Sequence, residues 1–305
     1  MLEIMGITAG TSPHFGRLIT AMVTPFKEDQ SIDFDAFAAL ANKLVDEGND
    51  ALVISGTTGE TSTLEDQEKE DLFRAAVEAV GDRAKIIAGT GTNHTSHSVQ
   101  MAQRAAKAGA HGQLVVTPYY NKPSQEGIIA HVEAIAEAAD LPVMVYDIPG
   151  RAGVPITTES HQKLAQHANI VALKDAKSDF AAVTEVLGST ELDVYSGDDL
   201  NTMPWMAAGA AGVVSVTAHV ASPQFRKLID AMVASDLAAA RNVYFELEPV
   251  IRGIMTRAQG AVAAKTVLAA QGVIPTPVVR LPLVQTNEAE YAAIAGDLNG
   301  TAWQL

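Results

Sequence analysis

The chain has 305 residues, of which 48% are hydrophobic and 19% are charged, so it can bury a large apolar core. Its formal net charge of -15 argues against nucleic acid or an anionic membrane surface as a partner. The absence of cysteine excludes disulfide bonds, thiolate zinc sites and cysteine nucleophiles.

Eight short apolar segments, rich in β-branched residues, are predicted to be strands, and each is followed by a segment with helical spacing of its apolar residues. The predicted strands cover residues 18–25, 51–54, 85–88, 113–118, 142–148, 170–176, 192–196 and 212–217. The helices that follow them are predicted at residues 33–47, 65–80, 96–108, 125–139, 158–166, 180–187, 200–208 and 223–234.

Eight strand–helix units favour an α/β fold of the (β/α)8 TIM barrel type. The alternative is a doubly wound open sheet, which usually has about six strands. The rest of the chain predicts three more helices, at residues 237–257, 261–271 and 288–298, with a proline-rich link before the last. We therefore predict a barrel carrying the active site over residues 1–235, and a C-terminal helical appendage over residues 236–305.

Targeting signals are not predicted. The first 15 residues contain neither a basic cluster nor a long apolar stretch, so we expect no signal peptide. No apolar run approaches the ~18 residues of a transmembrane helix. We therefore expect a cytoplasmic protein.

Polar residues cluster where the predicted strands end, which is where TIM barrels carry their active sites. They are Thr57 and Thr58 after the second strand, Tyr119 and Tyr120 after the fourth, Tyr146 and Arg151 with the fifth, Lys174 on the sixth, Asp198 and Asp199 after the seventh, and Ser215 and Thr217 on the eighth. Each alone is equally compatible with a turn, a helix cap, packing or a surface charge. Together they predict one site.

Lys174 follows four apolar residues, so its amine is predicted to lie at the end of a buried strand. Loss of hydration disfavours the charged form of an amine. A free lysine has a pKa near ~10.4, whereas a nucleophilic amine needs roughly 7 to 8. We hypothesise that Lys174 forms an imine with a carbonyl substrate. The alternative is a lysine that extends from the strand end to the surface.

Cofactor and metal motifs are incomplete. Gly89 and Gly91 follow a strand, but His94 stands where a dinucleotide-binding loop has its third glycine. No phosphate-binding loop motif is present either, so we expect no cofactor. His94 and His97 lie at helical spacing without an accompanying acidic metal motif, and we predict no metal site.

The charges near the predicted site favour a carboxylate substrate over a phosphorylated one. Asp198 and Asp199 occupy the usual phosphate position of a TIM barrel, where they would repel a phosphate. Arg151 and backbone amides could bind a carboxylate instead.

Six motifs together carry a resemblance to a known family. They are Gly56-Thr-Thr-Gly-Glu60, Val116-Thr-Pro-Tyr-Tyr-Asn121, Tyr146-Asp-Ile-Pro-Gly-Arg151, Lys174-Asp-Ala176, Ser196-Gly-Asp-Asp199 and Gly212-Val-Val-Ser-Val216. In this order they resemble the dihydrodipicolinate synthase family of pyruvate-dependent class I aldolases. The resemblance covers the whole barrel and continues into the helical tail.

The resemblance implies condensation of pyruvate with L-aspartate 4-semialdehyde, which opens lysine and diaminopimelate biosynthesis. It implies that Lys174 forms an imine with pyruvate. Tyr146 would relay protons and would be linked through Thr57 to Tyr120. The resemblance implies that this Tyr120 comes from a neighbouring subunit. The resemblance also implies a homotetramer, the usual assembly of the family.

The resemblance also implies the residues that bind substrates. Thr58 would hold the carboxylate of pyruvate, and Arg151 would receive the carboxylate of the semialdehyde. Gly197 and Val214 would line the pocket beside the imine. The family's more usual Tyr-Asn-Val-Pro-Ser-Arg run differs here at three positions, but Tyr146 and Arg151 are kept and we expect the same chemistry.

The feedback site of lysine-inhibited members departs more strongly. Their two histidines and glutamate correspond to Asp66, Lys69 and His97 in this chain, while Asn93 and Tyr119 are kept. Lys69 would repel the amine of a bound lysine. His97 stands where the inhibited members have a glutamate, so the bound lysine would also lack an anionic partner. We expect weak or absent inhibition by lysine.

Two other functions stay open from the sequence. One is a sister lyase, such as N-acetylneuraminate lyase or a 2-keto-3-deoxy sugar acid aldolase, but Arg151 suits a second carboxylate better than a polyol. The other is a non-catalytic binding barrel, which has no need of a desolvated amine at Lys174.

Overall fold

A computed structural model describes residues 13–305 of the chain. Residues 1–12 lie outside the described residues. The expectation about a signal peptide and the predicted start of the barrel domain fall on these residues and stay predictions. Among the described helices, none is long and apolar enough to cross a membrane.

Eight parallel strands of the described chain form one closed barrel, in which each strand pairs with its neighbours in sequence and the last pairs with the first. The strands are β1 (Leu18–Ala21), β2 (Ala51–Ile54), β3 (Lys85–Gly89), β4 (Gly112–Val116), β5 (Val143–Asp147), β6 (Ile170–Asp175), β7 (Asp193–Ser196) and β8 (Gly212–Ser215). The predicted TIM barrel is confirmed.

Helices surround the barrel and continue after it. They are α1 (Phe34–Asp46), α2 (Asp66–Val80), α3 (Thr95–Lys107), α4 (Gln125–Ala138), α5 (Pro149–Ala152), α6 (Thr158–Leu164), α7 (Phe180–Ser189), α8 (Thr202–Ala207), α9 (Ala218–Val233), α10 (Leu237–Thr256), α11 (Gly260–Ala270) and α12 (Glu288–Leu298). Short 3-10 turns at Thr61–Thr63 and Asp199–Asn201 precede α2 and α8.

Two helices differ from the prediction. The short helix α5 was not expected, and its first residue is Pro149, whose fixed φ suits the start of a helix. The helix expected from Pro223 begins five residues earlier, at Ala218, whose N–H donates to the Ser215 hydroxyl over 2.8 Å. Ala221 has non-helical angles just before Pro223, so the proline follows a kink within α9 and does not mark the helix start.

Alternate residues of each strand pack on opposite sides of the barrel wall. In β2, Ala51 and Val53 pack in the barrel interior, whereas Leu52 and Ile54 pack against the helices. In β6, Ala172 faces the interior and Leu173 faces outward. Both sides are apolar and fully buried, which explains why the strands are continuous apolar runs.

The C-terminal helices pack directly on the barrel layer. The helix α10 packs along α9, and α12 packs on α10, where the side chain of Leu298 lies against Gly253. Most of α11 is buried, including Lys265. The boundary between residues 235 and 236 stays a prediction, because this packing is continuous.

Candidate active site

The alternation along β5 and β6 carries Tyr146 and Lys174 into the barrel interior near the carboxyl ends of the strands. Lys174 lies two residues after the inward-facing Ala172, and it pairs in register with Tyr146. The Lys174 Nζ lies 4.2 Å from the centre of the Tyr146 ring, and both residues are 5% exposed. An aromatic face this close shields the amine from water and supports its charged form only weakly.

A cavity of about 80 Å³ opens at this end of the barrel, with room for a ligand the size of several water molecules. Six of the sequence-predicted site residues line it: Thr57, Thr58, Tyr146, Arg151, Lys174 and Gly197. A side chain at Gly197 would be crowded, because an added Cβ would lie 3.0 Å from the Asp175 carbonyl oxygen and 3.1 Å from the Lys174 Cε. The absence of a side chain there leaves the space beside the amine free.

The loop after β2 presents free backbone donors to the cavity. Ser55 and Glu60 both have positive φ, at 57° and 61°, and they bracket Thr57 and Thr58. Among the hydrogen bonds of residues 13–305, the amides of Thr57 and Thr58 donate to no protein acceptor. Free N–H groups beside a hydroxyl and an amine form a site suited to a carboxylate.

Two predicted residues lie outside this cavity. Tyr120 is 90% exposed, so its side chain makes little contact with its own chain, and its backbone has a positive φ of 74°. Val214 is buried in the interior of the barrel, and Val216, two residues further along, lines the cavity instead. In the described chain, no hydrogen bond joins the hydroxyl of Tyr146 to Thr57.

Burial lowers the pKa of Lys174 to about 8. Asp199 opposes this effect and raises the lysine pKa, whereas Arg151 lowers it. Asp199 is itself buried, and its Oδ2 accepts a hydrogen bond from the Thr217 N–H over 2.9 Å. With this pKa about a tenth of the Lys174 amine is neutral at pH 7, far more than for an ordinary lysine, so a nucleophilic amine is available.

Tyr146 remains protonated under the same conditions. Burial raises the pKa of Tyr146 to about 12, although Arg151 lowers it. A neutral hydroxyl in the same cavity as the amine can pass a proton in either direction without burying a fixed charge.

Other residues of the site were missed by the sequence analysis. Met255 of α10 lines the cavity, together with Ile148 and Val216. Met255 belongs to the C-terminal appendage. The spacing of apolar residues along its helix does not predict that it lies in the same cavity as Lys174. Within residues 13–305, no three His, Asp or Glu side chains are arranged to hold a metal ion.

The pKa of Lys174 predicts the pH dependence of imine formation. The neutral amine is the nucleophile, so kcat/KM for pyruvate should rise about tenfold per pH unit below pH 8 and level off above it. In Asp199→Asn the midpoint should move to lower pH, because the carboxylate that raises the lysine pKa is lost. Initial rates measured from pH 6 to pH 9.5 check both; a profile with no dependence near pH 8 contradicts the assignment.

Comparisons with known proteins agree with this geometry. Residues 14–300 match the model of the dihydrodipicolinate synthetase family. The chain is 51% identical over 284 residues to the 4-hydroxy-tetrahydrodipicolinate synthase of Kineococcus radiotolerans, and the match covers 93% of this chain and 92% of the relative.

Solved structures of related proteins share the fold. The crystal structure of a dihydrodipicolinate synthase from Bacillus anthracis has a TM-score of 0.91 and 41% identity, and covers 94% of this chain and 98% of its own. The crystal structure of the synthase from Cyanidioschyzon merolae with lysine bound has a TM-score of 0.90 and 37% identity, and covers 94% of this chain and 98% of its own.

Proposed function

The chain belongs to the dihydrodipicolinate synthetase family, and from this premise we propose that it condenses pyruvate with L-aspartate 4-semialdehyde to give 4-hydroxy-tetrahydrodipicolinate. This reaction is the first committed step of lysine and diaminopimelate biosynthesis. The observation that carries the proposal is a buried Lys174 amine with a pKa of about 8, in a cavity that also holds Tyr146, Thr57 and Thr58.

The neutral amine of Lys174 attacks the keto carbon of pyruvate, and loss of water leaves an imine. The protonated imine withdraws electrons, so the methyl group of pyruvate loses a proton and an enamine forms. The enamine carbon then attacks the aldehyde carbon of the second substrate, whose oxygen takes up a proton. Finally, the amino group of the second substrate attacks the imine carbon, which closes the ring and releases Lys174.

Tyr146 serves these steps as the proton carrier, because it lines the same cavity, its ring centre lies 4.2 Å from the Lys174 amine, and its hydroxyl is neutral. The free amides of the loop after β2 and the hydroxyl of Thr58 bind the carboxylate of pyruvate. Arg151 lies in the same cavity and is exposed, so it meets the carboxylate of the semialdehyde at the entrance. Gly197 and Val216 line the cavity beside the amine, and Val214 lies deeper in the barrel interior.

The relay from Tyr146 through Thr57 to Tyr120 requires a second subunit to supply Tyr120, and it requires a hydrogen bond between Tyr146 and Thr57 that the described single chain lacks. The Tyr120 side chain is 90% exposed in the single chain, so it is available to enter the site of a neighbour. A homotetramer built on such pairs, acting in the cytoplasm, is the assembly that we propose.

Turnover with defined substrates tests the function. Purified protein should form 4-hydroxy-tetrahydrodipicolinate from pyruvate and aspartate semialdehyde, and should cleave neither N-acetylneuraminate nor a 2-keto-3-deoxy sugar acid. Cleavage of a sugar acid without condensation would favour the sister lyases. No turnover and no borohydride-trapped pyruvate adduct would favour a binding barrel.

Arg151→Met should affect the second substrate more than the first. Loss of a charge-assisted hydrogen bond to a partly exposed carboxylate should raise KM for aspartate semialdehyde about tenfold. The KM for pyruvate should change much less, since Thr58 and the loop amides bind it. Arg241→Met, an exposed arginine on α10, is the matched control. Equal increases in both KM values would contradict the assigned role.

Inhibition by L-lysine should be weak or absent. The side chains at the effector position already satisfy one another: the His97 Nε2 lies 2.9 Å from the Asp66 Oδ1, and the Lys69 Nζ lies 3.7 Å from the same oxygen. A bound lysine would bring a second amine to a cluster that already holds one. Steady-state rates with lysine up to several millimolar check this expectation, and full inhibition at sub-millimolar lysine would show it to be wrong.

A further inference from the structure

The loop that carries Thr57 and Thr58 ends in a buried carboxylate. Glu60 is 4% exposed and has a left-handed backbone with φ of 61°. Its N–H donates to the Thr57 carbonyl over 3.1 Å, so its position bears directly on the loop. A residue other than glycine is strained in this conformation and persists only where its surroundings hold it.

Lys265 of α11 holds that carboxylate from the C-terminal part of the chain. Lys265 is fully buried and forms an ion pair with the Glu60 Oε1. Its amine also donates to the Val278 carbonyl over 2.8 Å and lies 4.1 Å from the centre of the Phe26 ring. The lysine therefore joins three segments that are distant in sequence.

Arg280 completes the arrangement from the segment after α11. Its backbone N–H donates to the Glu60 Oε2 over 2.9 Å, so both carboxylate oxygens are bound. Its guanidinium donates to the Thr63 carbonyl over 2.9 Å and pairs with Glu68, which ties the same segment to the residues just after the loop.

Stability alone is a poor explanation of this ion pair. The loss of hydration of a buried lysine and glutamate offsets much of the free energy of their attraction. Apolar residues of similar size often give the folded protein equal stability. Glycine would also remove the backbone strain at position 60. What the charged pair adds is a directional constraint on the loop that presents Thr57 and Thr58 to the cavity.

We propose that Lys265 is a positioning residue for the reaction: through Glu60 it fixes the loop of residues 56–60, so that Thr57 and Thr58 meet pyruvate in the correct geometry. This role rests on the proposed function of the two threonines. It makes the C-terminal helices part of the active-site apparatus, although Lys265 itself touches no substrate.

Lys265→Met is the primary test, because it keeps the unbranched side chain as far as the Cε position and removes the amine. The kcat/KM for pyruvate should fall about tenfold to a hundredfold, since small misplacements of binding groups cost rates of this order. The amides of residues 60, 61 and 63, which hydrogen-bond within the loop and the turn after it, should exchange hydrogen faster in the absence of substrate.

A second variant separates positioning from stability. Lys265→Met alone leaves the buried Glu60 without its lysine partner and with only the Arg280 N–H bound, and is expected to lower the melting temperature. The double variant Glu60→Gln with Lys265→Met removes both charges and should recover thermal stability, yet keep the loss in kcat/KM. If the single variant does not fold, the double variant is the test.

Asn49→Ala is the matched control, because Asn49 holds the opposite end of β2. It is 4% exposed and bonds to Thr20, the Leu44 carbonyl and Ser222 without touching the loop. It should lower the melting temperature and leave kcat/KM unchanged. Wild-type kcat/KM in either folded Lys265 variant overturns the proposal. If the unmodified protein does not turn over the substrates, the proposed function is rejected instead. The hydrogen-exchange measurement needs no substrate, so it still tests whether Lys265 holds the loop.

Discussion

Lys174→Ala is expected to lower kcat by about 10⁴-fold or more, because removal of a covalent nucleophile leaves only binding and electrostatics to accelerate the reaction. Coupled turnover assays with pyruvate and aspartate semialdehyde measure the loss. The melting temperature should change little by comparison, since Lys174 has no ion-pair partner within 4.0 Å among the described residues. Turnover at the parental rate would refute the imine mechanism.

Borohydride trapping with pyruvate should modify Lys174 and not Lys177, which provides a control within the same protein. Burial lowers the pKa of Lys177, but Asp147 and Asp175 outweigh this effect and raise it above its usual value. The Lys177 Nζ lies 3.1 Å from the Asp147 Oδ2 and 3.4 Å from the Asp175 Oδ2. Two lysines three residues apart therefore have opposite pKa shifts, and of these two Lys174 has the larger fraction of neutral, nucleophilic amine near neutral pH.

Tyr146→Phe is expected to lower kcat by about 10²-fold to 10⁴-fold, the usual contribution of a general acid–base group. The ring is kept, so the apolar contact with the Lys174 amine remains and only the proton carrier is lost. Borohydride trapping should still locate the pyruvate adduct on Lys174, but the adduct should form more slowly.

Tyr195→Phe is the matched control for this prediction. Tyr195 is also buried in the barrel interior, but its hydroxyl donates to the Gly16 carbonyl over 2.8 Å, before β1 and away from the cavity. The loss of that bond should lower the melting temperature and leave kcat unchanged. If the Tyr146→Phe variant had the same kcat as the Tyr195→Phe variant, the role of Tyr146 in proton transfer would be contradicted.

Much of the fold could be predicted because the strands of a parallel barrel are buried on both faces. Each strand is a short apolar run between turn residues, and eight such runs followed by helices favour the barrel. The same property hides how far along the barrel each inward-facing residue lies. Val214 and Val216 are both apolar residues of one run, and only the closed barrel places Val216 at the cavity.

The sequence by itself determined the strand–helix order, the position of Lys174 at the end of a buried strand, and the motifs that carry the family resemblance. These properties are local, since they depend on apolar spacing and on residues adjacent in the chain. Only the tertiary structure decided the roles that depend on distant segments: Met255 reaches the cavity from α10, and Lys265 meets Glu60 across 205 positions. No local pattern encodes such contacts, because they arise from how α10 and α11 dock on the barrel.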